Sequence, residues 1–450
     1  KSFFLLLVSI VFYGFSNTSS LILIAIGIIT NYIVYLCIQN NQPKNRLTKK
    51  IFLIIGITIN LTALLYFKYC NFFIDNINTL FKTDLEIRNI ALPLGISFIT
   101  FQQIAFLIDA YRKEMPEYDL LEYALFVLFF PHIISGPIIL HRDFMPLLSE
   151  GKKKIDWGRI ASGIYMFAIG LGKKTLIADI FARAANWGYG NITALNSTSA
   201  LFVSIAYSIQ IYFDFSGYSD MAIGISRIFQ MALPINFNSP YKATNILEFW
   251  DRWHITLTRF LSKYLYIPLG GNRKGKARTY LNTMIVFLCS GLWHGASWTF
   301  ILWGALHGVA LILTKHFKKF IDRIPSAINR TITFLFVNFC WILFRANNIS
   351  DFKQMVDRIL QGGWGGLDKD LCGLFKIPIL YYFPGLALPY WLCAAIFLIG
   401  AAWILLCCQN TKEKAEHLKY STISCIWVAT VAVLSILSLS NVSTYVYAYF

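Results

Sequence analysis

The chain has 450 residues, 56% hydrophobic and 14% charged, with 40 Lys and Arg against 23 Asp and Glu, for a formal net charge of +17. That composition excludes intrinsic disorder, which needs low hydrophobicity and high charge. Nine cysteines in this length are also too sparse for a disulfide-stapled secreted module.

A mean hydropathy of +0.56 is more than a soluble surface can cover, since soluble chains run about 25% charged. The reading is an all-α, polytopic integral membrane protein forming one domain over residues 1–450. Apolar runs fall at 3–15, 20–38, 51–69, 91–110, 119–140, 157–182, 199–229, 280–297, 298–314, 331–346, 389–408 and 421–440, or about 11–12 membrane segments of the length a bilayer needs. The chain starts at Lys1 without Met, so the native N-terminus is expected to be missing.

The most basic loops are 41–50, 263–278 and 315–330. The positive-inside rule places them in the cytoplasm and makes the charge a matter of topology, with lipid and not nucleic acid as the partner. An even number of crossings must join the first two loops. Runs 51–69, 91–110, 157–182 and 199–229 supply four, so 119–140 and the charge-broken segment 243–262 are expected to be re-entrant. Non-helical backbone at membrane depth needs a protein or watery surround, which implies a central polar funnel. Residues 347–388 form an outside loop with an amphipathic piece, and 441–450 an extracytoplasmic aromatic tail.

Ionisable groups inside spans cost roughly 2.5–3.5 kcal/mol and are functional candidates by default. His294 lies in Gly291-Leu-Trp-His-Gly-Ala-Ser-Trp298 between two apolar spans. Its small neighbours allow a ligand or a backbone to come close. A neutral imidazole there suits general-base work on a hydroxyl, or packs as a hydrogen-bonded core histidine. In Glu248-Phe-Trp-Asp-Arg-Trp-His254, helical spacing puts Trp250 and His254 on one face. Asp251 is placed to orient the His254 ring, and Arg252 to hold a carboxylate or phosphate. The alternative is an amphipathic interfacial helix.

Asp214 and Asp220 in Tyr212-Phe-Asp-Phe-Ser-Gly-Tyr-Ser-Asp220 suit a proton path or cation site, or a buried network with Arg227 or Arg252; the network is the preferred reading. The loop around Arg273 and Lys274 is glycine-rich, basic and free of acids, fitting an anionic, phosphate-bearing ligand or simple topology. His307 is a further buried-histidine candidate. No zinc or P-loop pattern occurs, so no metal is expected.

Several of these motifs resemble the membrane-bound O-acyltransferase family, in its bacterial alginate and peptidoglycan O-acetyltransferase branch. They are Phe249-Trp-Asp-Arg-Trp-His-Ile-Thr-Leu257, Tyr264-Leu-Tyr-Ile-Pro-Leu-Gly-Gly-Asn-Arg273, Gly291-Leu-Trp-His-Gly-Ala-Ser-Trp298, Pro93-Leu-Gly-Ile-Ser-Phe98 with Thr100-Phe-Gln102, and Asp214-Phe-Ser-Gly-Tyr-Ser-Asp-Met-Ala-Ile-Gly224. The resemblance implies a helical enzyme of the bacterial inner membrane with a pore through its middle. Acetyl-CoA would be the cytosolic donor, and a cell-envelope polysaccharide, peptidoglycan rather than alginate, the final acceptor. A periplasmic SGNH-type O-acetyltransferase would be the partner.

The same resemblance implies that His294 is the catalytic histidine and His254 a second, funnel-side one. Trp250, Arg252, Arg273 and Lys274 would serve the donor. The ending Thr444-Tyr-Val-Tyr-Ala-Tyr-Phe450 is similar to an aromatic C-terminal motif in which a tyrosine hydroxyl, here Tyr447, carries the acyl group; the alternative is an interfacial anchor. Two departures stand out: His132 where the family often has Gln, and Ser262-Lys263 where it often has Arg-Asp. Two other functions fit the polar spans: a transporter without chemistry, and D-alanyl transfer of the teichoic-acid type.

Overall fold

The computed structural model describes residues 1–16, 18–40, 46–150, 155–375, 388–418, 421–439, 443, 445 and 446. Helices, turns and irregular loops make up these residues, and no strand occurs among them. Five helical stretches among them are long and apolar enough to cross a membrane: Thr18–Gln39, Arg46–Phe81, Trp298–His316, Ser326–Arg345 and Tyr390–Cys407. Two shorter apolar helices are Ser2–Phe15 and Thr422–Leu437. The chain divides into two compact units, one of residues 1–164 with 222–235, the other of 165–221 with 236–446.

In the first unit the burial pattern is inverted relative to a water-soluble protein. On the helix Thr18–Asn40, Ile22, Ile26, Ile29 and Ile33 are exposed while Asn31 is buried. Spacings of three and four residues align the isoleucines in one stripe, a surface suited to lipid. Asn31 faces inward because its amide needs partners. Asn60 Nδ2 donates to Asn31 Oδ1 at 2.6 Å, and Asn31 Nδ2 donates to Gln103 Oε1 at 3.1 Å. These bonds join three helices, as side-chain amides do in lipid-embedded bundles.

Run 91–110 becomes a helix only at Ile96–Arg112. Pro93 favours an extended residue before it, and Gly95 sits at φ +74, where a Cβ would strike the Ile133 carbonyl. Run 119–140 is the nine-residue helix Leu120–Leu128 followed by turns. At 1.5 Å per residue it reaches about 13 Å, less than half of a hydrocarbon core about 30 Å thick. His132, buried in those turns, packs edge-on against Phe144.

Run 157–182, which belongs to the second unit from Tyr165 onward, is longer than its apolar content suggests. Helix continues from Trp157 to Gly190 through a π-helical turn at Lys173–Ala178. It crosses the 32-residue helix Ser197–Ile228 at a pair of glycines. A Cβ on Gly170 would lie 2.6 Å from the Gly217 carbonyl oxygen, and one on Gly217 would lie 2.7 Å from the Gly170 carbonyl oxygen. Only glycine allows two helix backbones this close. The crossing brings Lys173 and Lys174 to Asp220 and Asp214.

The helices Gly275–His294 and Trp298–His316 form a hairpin locked in the same way. A Cβ on Gly291 would strike the Phe300 carbonyl, and one on Gly304 the Phe287 carbonyl. The close approach that the small residues around His294 permit is thus made by the neighbouring helix. The amphipathic piece of the 347–388 loop is the helix Ile349–Gln361, capped by Asn348, whose side chain accepts from Asp351 N–H at 2.9 Å.

Gly170→Ala is expected to destabilise the protein by about 1–3 kcal/mol through overpacking. The check is the melting temperature in detergent, and an unchanged value would contradict the close crossing.

Candidate active site

The site residues of the second unit lie in and around the hairpin. His294 ends the helix Gly275–His294 and is 1% exposed. Gly295, Ala296 and Ser297 turn the chain, and the Ser297 hydroxyl accepts from Thr299 N–H at 3.3 Å to cap the returning helix. Three rings enclose the imidazole: Trp293 and Trp303 at 5.0 Å between centroids and Phe344 at 5.2 Å. The rings wall the imidazole off from the surface.

His254 lies where segment 243–262 breaks into two short helices, Ile246–Arg252 and Ile255–Leu261. Its φ of +45 ends helical spacing at that point, so Trp250 and His254 do not share a helix face. The ring is 0% exposed and packs against Phe215 at 4.8 Å and Trp293 at 6.0 Å. Trp293 therefore touches both His254 and His294.

Asn236, not Asp251, orients the His254 ring. Asn236 Oδ1 accepts from the Thr256 N–H at 3.3 Å and the Thr256 hydroxyl at 3.0 Å, and it lies 3.1 Å from His254 Nδ1. A backbone N–H can only donate, so the atom is the amide oxygen and His254 Nδ1 carries the proton. Its lone pair is then on Nε2. Asp251 is exposed.

Trp250 serves the third histidine. Its Nε1–H donates to His307 Nδ1 at 3.3 Å. Indole nitrogen is a donor only, so His307 holds the opposite tautomer, with its proton on Nε2. That atom, Trp303 Nε1 and Ser290 Oγ are buried with no hydrogen-bond partner among the described residues. Ser290 is one helical turn before His294, on the same face. It also lines a cavity of about 150 Å³ bounded by Trp250, Leu261, Tyr266, Phe287 and Lys315 among others.

The charged candidates separate. Arg252 is committed locally: its Nη2 lies 2.8 Å from Glu248 Oε1, and its Nη1 donates to the Asn238 carbonyl at 3.0 Å. Against partial burial, which acts to raise it, bonds from Thr244 and Arg252 hold the Glu248 carboxyl below its usual range. Arg273 and Lys274 are exposed on the turns that follow Tyr266. Asn282 Nδ2 pins those turns by donating to the Gly271 carbonyl at 2.9 Å.

Asp214 and Asp220 are in a buried network, but their partners are lysines, not Arg227 or Arg252. Lys174 Nζ is 2.6 Å from Asp214 Oδ1, and Lys173 Nζ 2.7 Å from Asp220 Oδ2. Lys173 and Lys174 had a readable signal, two cations in the middle of an apolar run. Asn236 had none, because its role depends on a long-range approach. Tyr447 lies outside the described residues.

Asn236→Ala should lower stability by about 1–3 kcal/mol, because it strands the buried donors of Thr256 and His254. Asp251→Ala should leave the melting temperature unchanged. Equal falls for the two would contradict the assignment of Asn236 as the orienting group.

Residues 53–350 match the membrane-bound O-acyltransferase family. The chain is similar to the peptidoglycan O-acetyltransferase of Helicobacter pylori, 44% identical over 402 residues, covering 83% of this chain and 75% of that protein. It is also similar to the probable alginate O-acetylase of Pseudomonas aeruginosa, 37% identical over 369 residues, covering 81% and 70%. A teichoic acid D-alanyltransferase of Bacillus subtilis is 28% identical over 272 residues, covering 57% and 68%. The chain belongs to the membrane-bound O-acyltransferase family, and it is a multi-pass membrane acyltransferase rather than a transporter without chemistry.

Proposed function

We propose that this protein takes an acetyl group from cytosolic acetyl-CoA and passes it across the bacterial inner membrane for O-acetylation of an envelope polysaccharide, peptidoglycan in preference to alginate. A periplasmic SGNH-type transferase completes the delivery. The preference follows the higher identity to the peptidoglycan enzyme, 44% against 37%. The observation that carries the reading is the enclosed His294, one helical turn beyond the Ser290 wall of the 150 Å³ cavity.

In this reading the thioester arm enters the cavity past Lys315 and Tyr266. Arg273 and Lys274, beside it in sequence, meet the phosphates, because their side chains are exposed while the Arg252 fork is occupied. Trp250 forms part of the cavity wall. The unpartnered donors of Ser290, Trp303 and His307 are available to a substrate oxygen, where preorganised donors stabilise developing charge. His254 Nε2 supplies a second basic nitrogen on the far side of Trp293.

The acceptor is a hydroxyl. A tyrosine hydroxyl has a pKa near 10 and needs a base. His294 takes the proton from Tyr447 as its oxygen attacks the thioester carbonyl. The C–S bond breaks, and the leaving thiolate collects that proton from the imidazolium. The acetyl group then sits as an ester on the tail 441–450, for transfer on the outer side. Exclusion of water by Trp293, Trp303 and Phe344 protects the thioester from hydrolysis.

The test is labelled-acetyl transfer by the purified protein in detergent or vesicles, followed by release of free CoA. Wild type should release CoA, and His294→Ala should lower the rate by about 10²–10⁴-fold, the worth of a general base. No release by folded wild type, even with envelope extract present, would overturn the donor assignment. Tyr447→Phe should stop transfer while acetyl-CoA binding persists; unchanged acetylation would remove the tyrosine relay.

A further inference from the structure

The ion network around Lys174 contains more than a salt bridge. Lys174 is 1% exposed, and its Nζ lies 2.6 Å from Asp214 Oδ1 and 2.9 Å from Asp179 Oδ1. Asp179 is five residues after Lys174 on the same helical run, and Lys174 lies in the π-helical turn Lys173–Ala178 that ends just before it. The π turn's wider i→i+5 geometry suits that spacing. Asp214 arrives from the Gly170–Gly217 crossing. Two carboxylates thus face one ammonium, which leaves the buried cluster rich in acceptors.

The C-terminal segment supplies donors to both carboxylates. Ser443 donates to Asp179 Oδ1 through both its N–H, at 3.2 Å, and its hydroxyl. The Val446 N–H donates to Asp214 Oδ2 at 2.7 Å. Between them, the Tyr445 ring lies 4.4 Å from Lys174 Nζ, within cation–π range, and packs edge-on against Tyr218. Each of the three charged side chains therefore holds a different residue of one short segment.

We propose that Lys174, Asp179 and Asp214 form a clamp for the protein's own C-terminal segment, and that its task is to fix the chain immediately ahead of Tyr447. The proposal rests on the tyrosine relay for its catalytic meaning, though not for the clamp itself. A Cα is about 3.8 Å from its neighbour, so a fixed Val446 N–H restricts where the next residue can carry its hydroxyl. The three clamp residues touch no reacting atom and are positioning residues.

Two measurements test this. Carboxypeptidase trimming of the detergent-solubilised protein, read by mass spectrometry, should stall in wild type with Val446 retained. In Ser443→Ala it should pass Val446 about tenfold faster, the scale of one charge-assisted hydrogen bond. Lys174→Met/Asp179→Asn/Asp214→Asn, which removes all three charges together and so leaves none unpaired, should trim fastest. If the triple variant fails to fold, Ser443→Ala alone decides the question. Trimming past Val446 in wild type at the rate of Ser443→Ala would overturn the clamp.

The second measurement is steady-state CoA release by Ser443→Ala. It should show kcat lowered about tenfold, again one such bond, with KM for acetyl-CoA unchanged. A loosened tail with full kcat would overturn the positioning role. Tyr447→Phe keeps the trimming stall whichever way its activity falls, so failure of the relay and failure of the clamp are told apart.

Discussion

An ammonium ion inside a lipid-facing bundle has to be neutralised by the protein, because no solvent is there to do it. Lys174 and Lys173 impose that condition on the second unit. Each is placed on a carboxylate of the Ser197–Ile228 helix, and that placement requires the two helix backbones to approach through Gly170 and Gly217. Removing either partner of a buried pair leaves an uncompensated charge. The glycines, the π turn and the two ion pairs are therefore parts of one arrangement, and the C-terminal segment is bound where that arrangement has acceptors to spare.

Two of the three histidines at the site, His254 and His307, are set by hydrogen bonding. Asn236 fixes the proton of His254 on Nδ1, and Trp250 fixes that of His307 on Nε2. Basic lone pairs and N–H donors are thereby set by neighbours well separated in sequence. His294 is held differently, by the ends of two helices locked at Gly291 and Gly304 and by a wall of rings. An acyltransferase needs both elements, a base that is neutral when the acceptor arrives and donors for the oxygen that becomes negative.

Much of this was legible in the sequence. Apolar run lengths located most of the helices, and the glycines around His294 announced a close approach. The preference for a structural network at Asp214 and Asp220 also agrees with the fold. What could not be read was which side chains meet. Helical spacing paired Trp250 with His254, yet a single positive φ at His254 turned the two apart. Asp251 looked like the orienting group because it is near in sequence, whereas Asn236 arrives from a preceding loop. Lys173 and Lys174 were readable as cations in an apolar run, but adjacent residues on a regular helix diverge by about 100°. The π turn that lets both reach the neighbouring helix leaves no mark in composition.

The Gly291–Gly304 contact bears on how this enzyme tolerates change. Main-chain atoms set the spacing of the hairpin, so the location of His294 does not depend on the bulk of any one side chain nearby. Substitutions among Trp293, Trp303 and Phe344 can reshape the ring wall while the imidazole keeps its address. The lining can therefore vary on a chassis whose buried histidine is anchored by the two residues that have no side chain to vary.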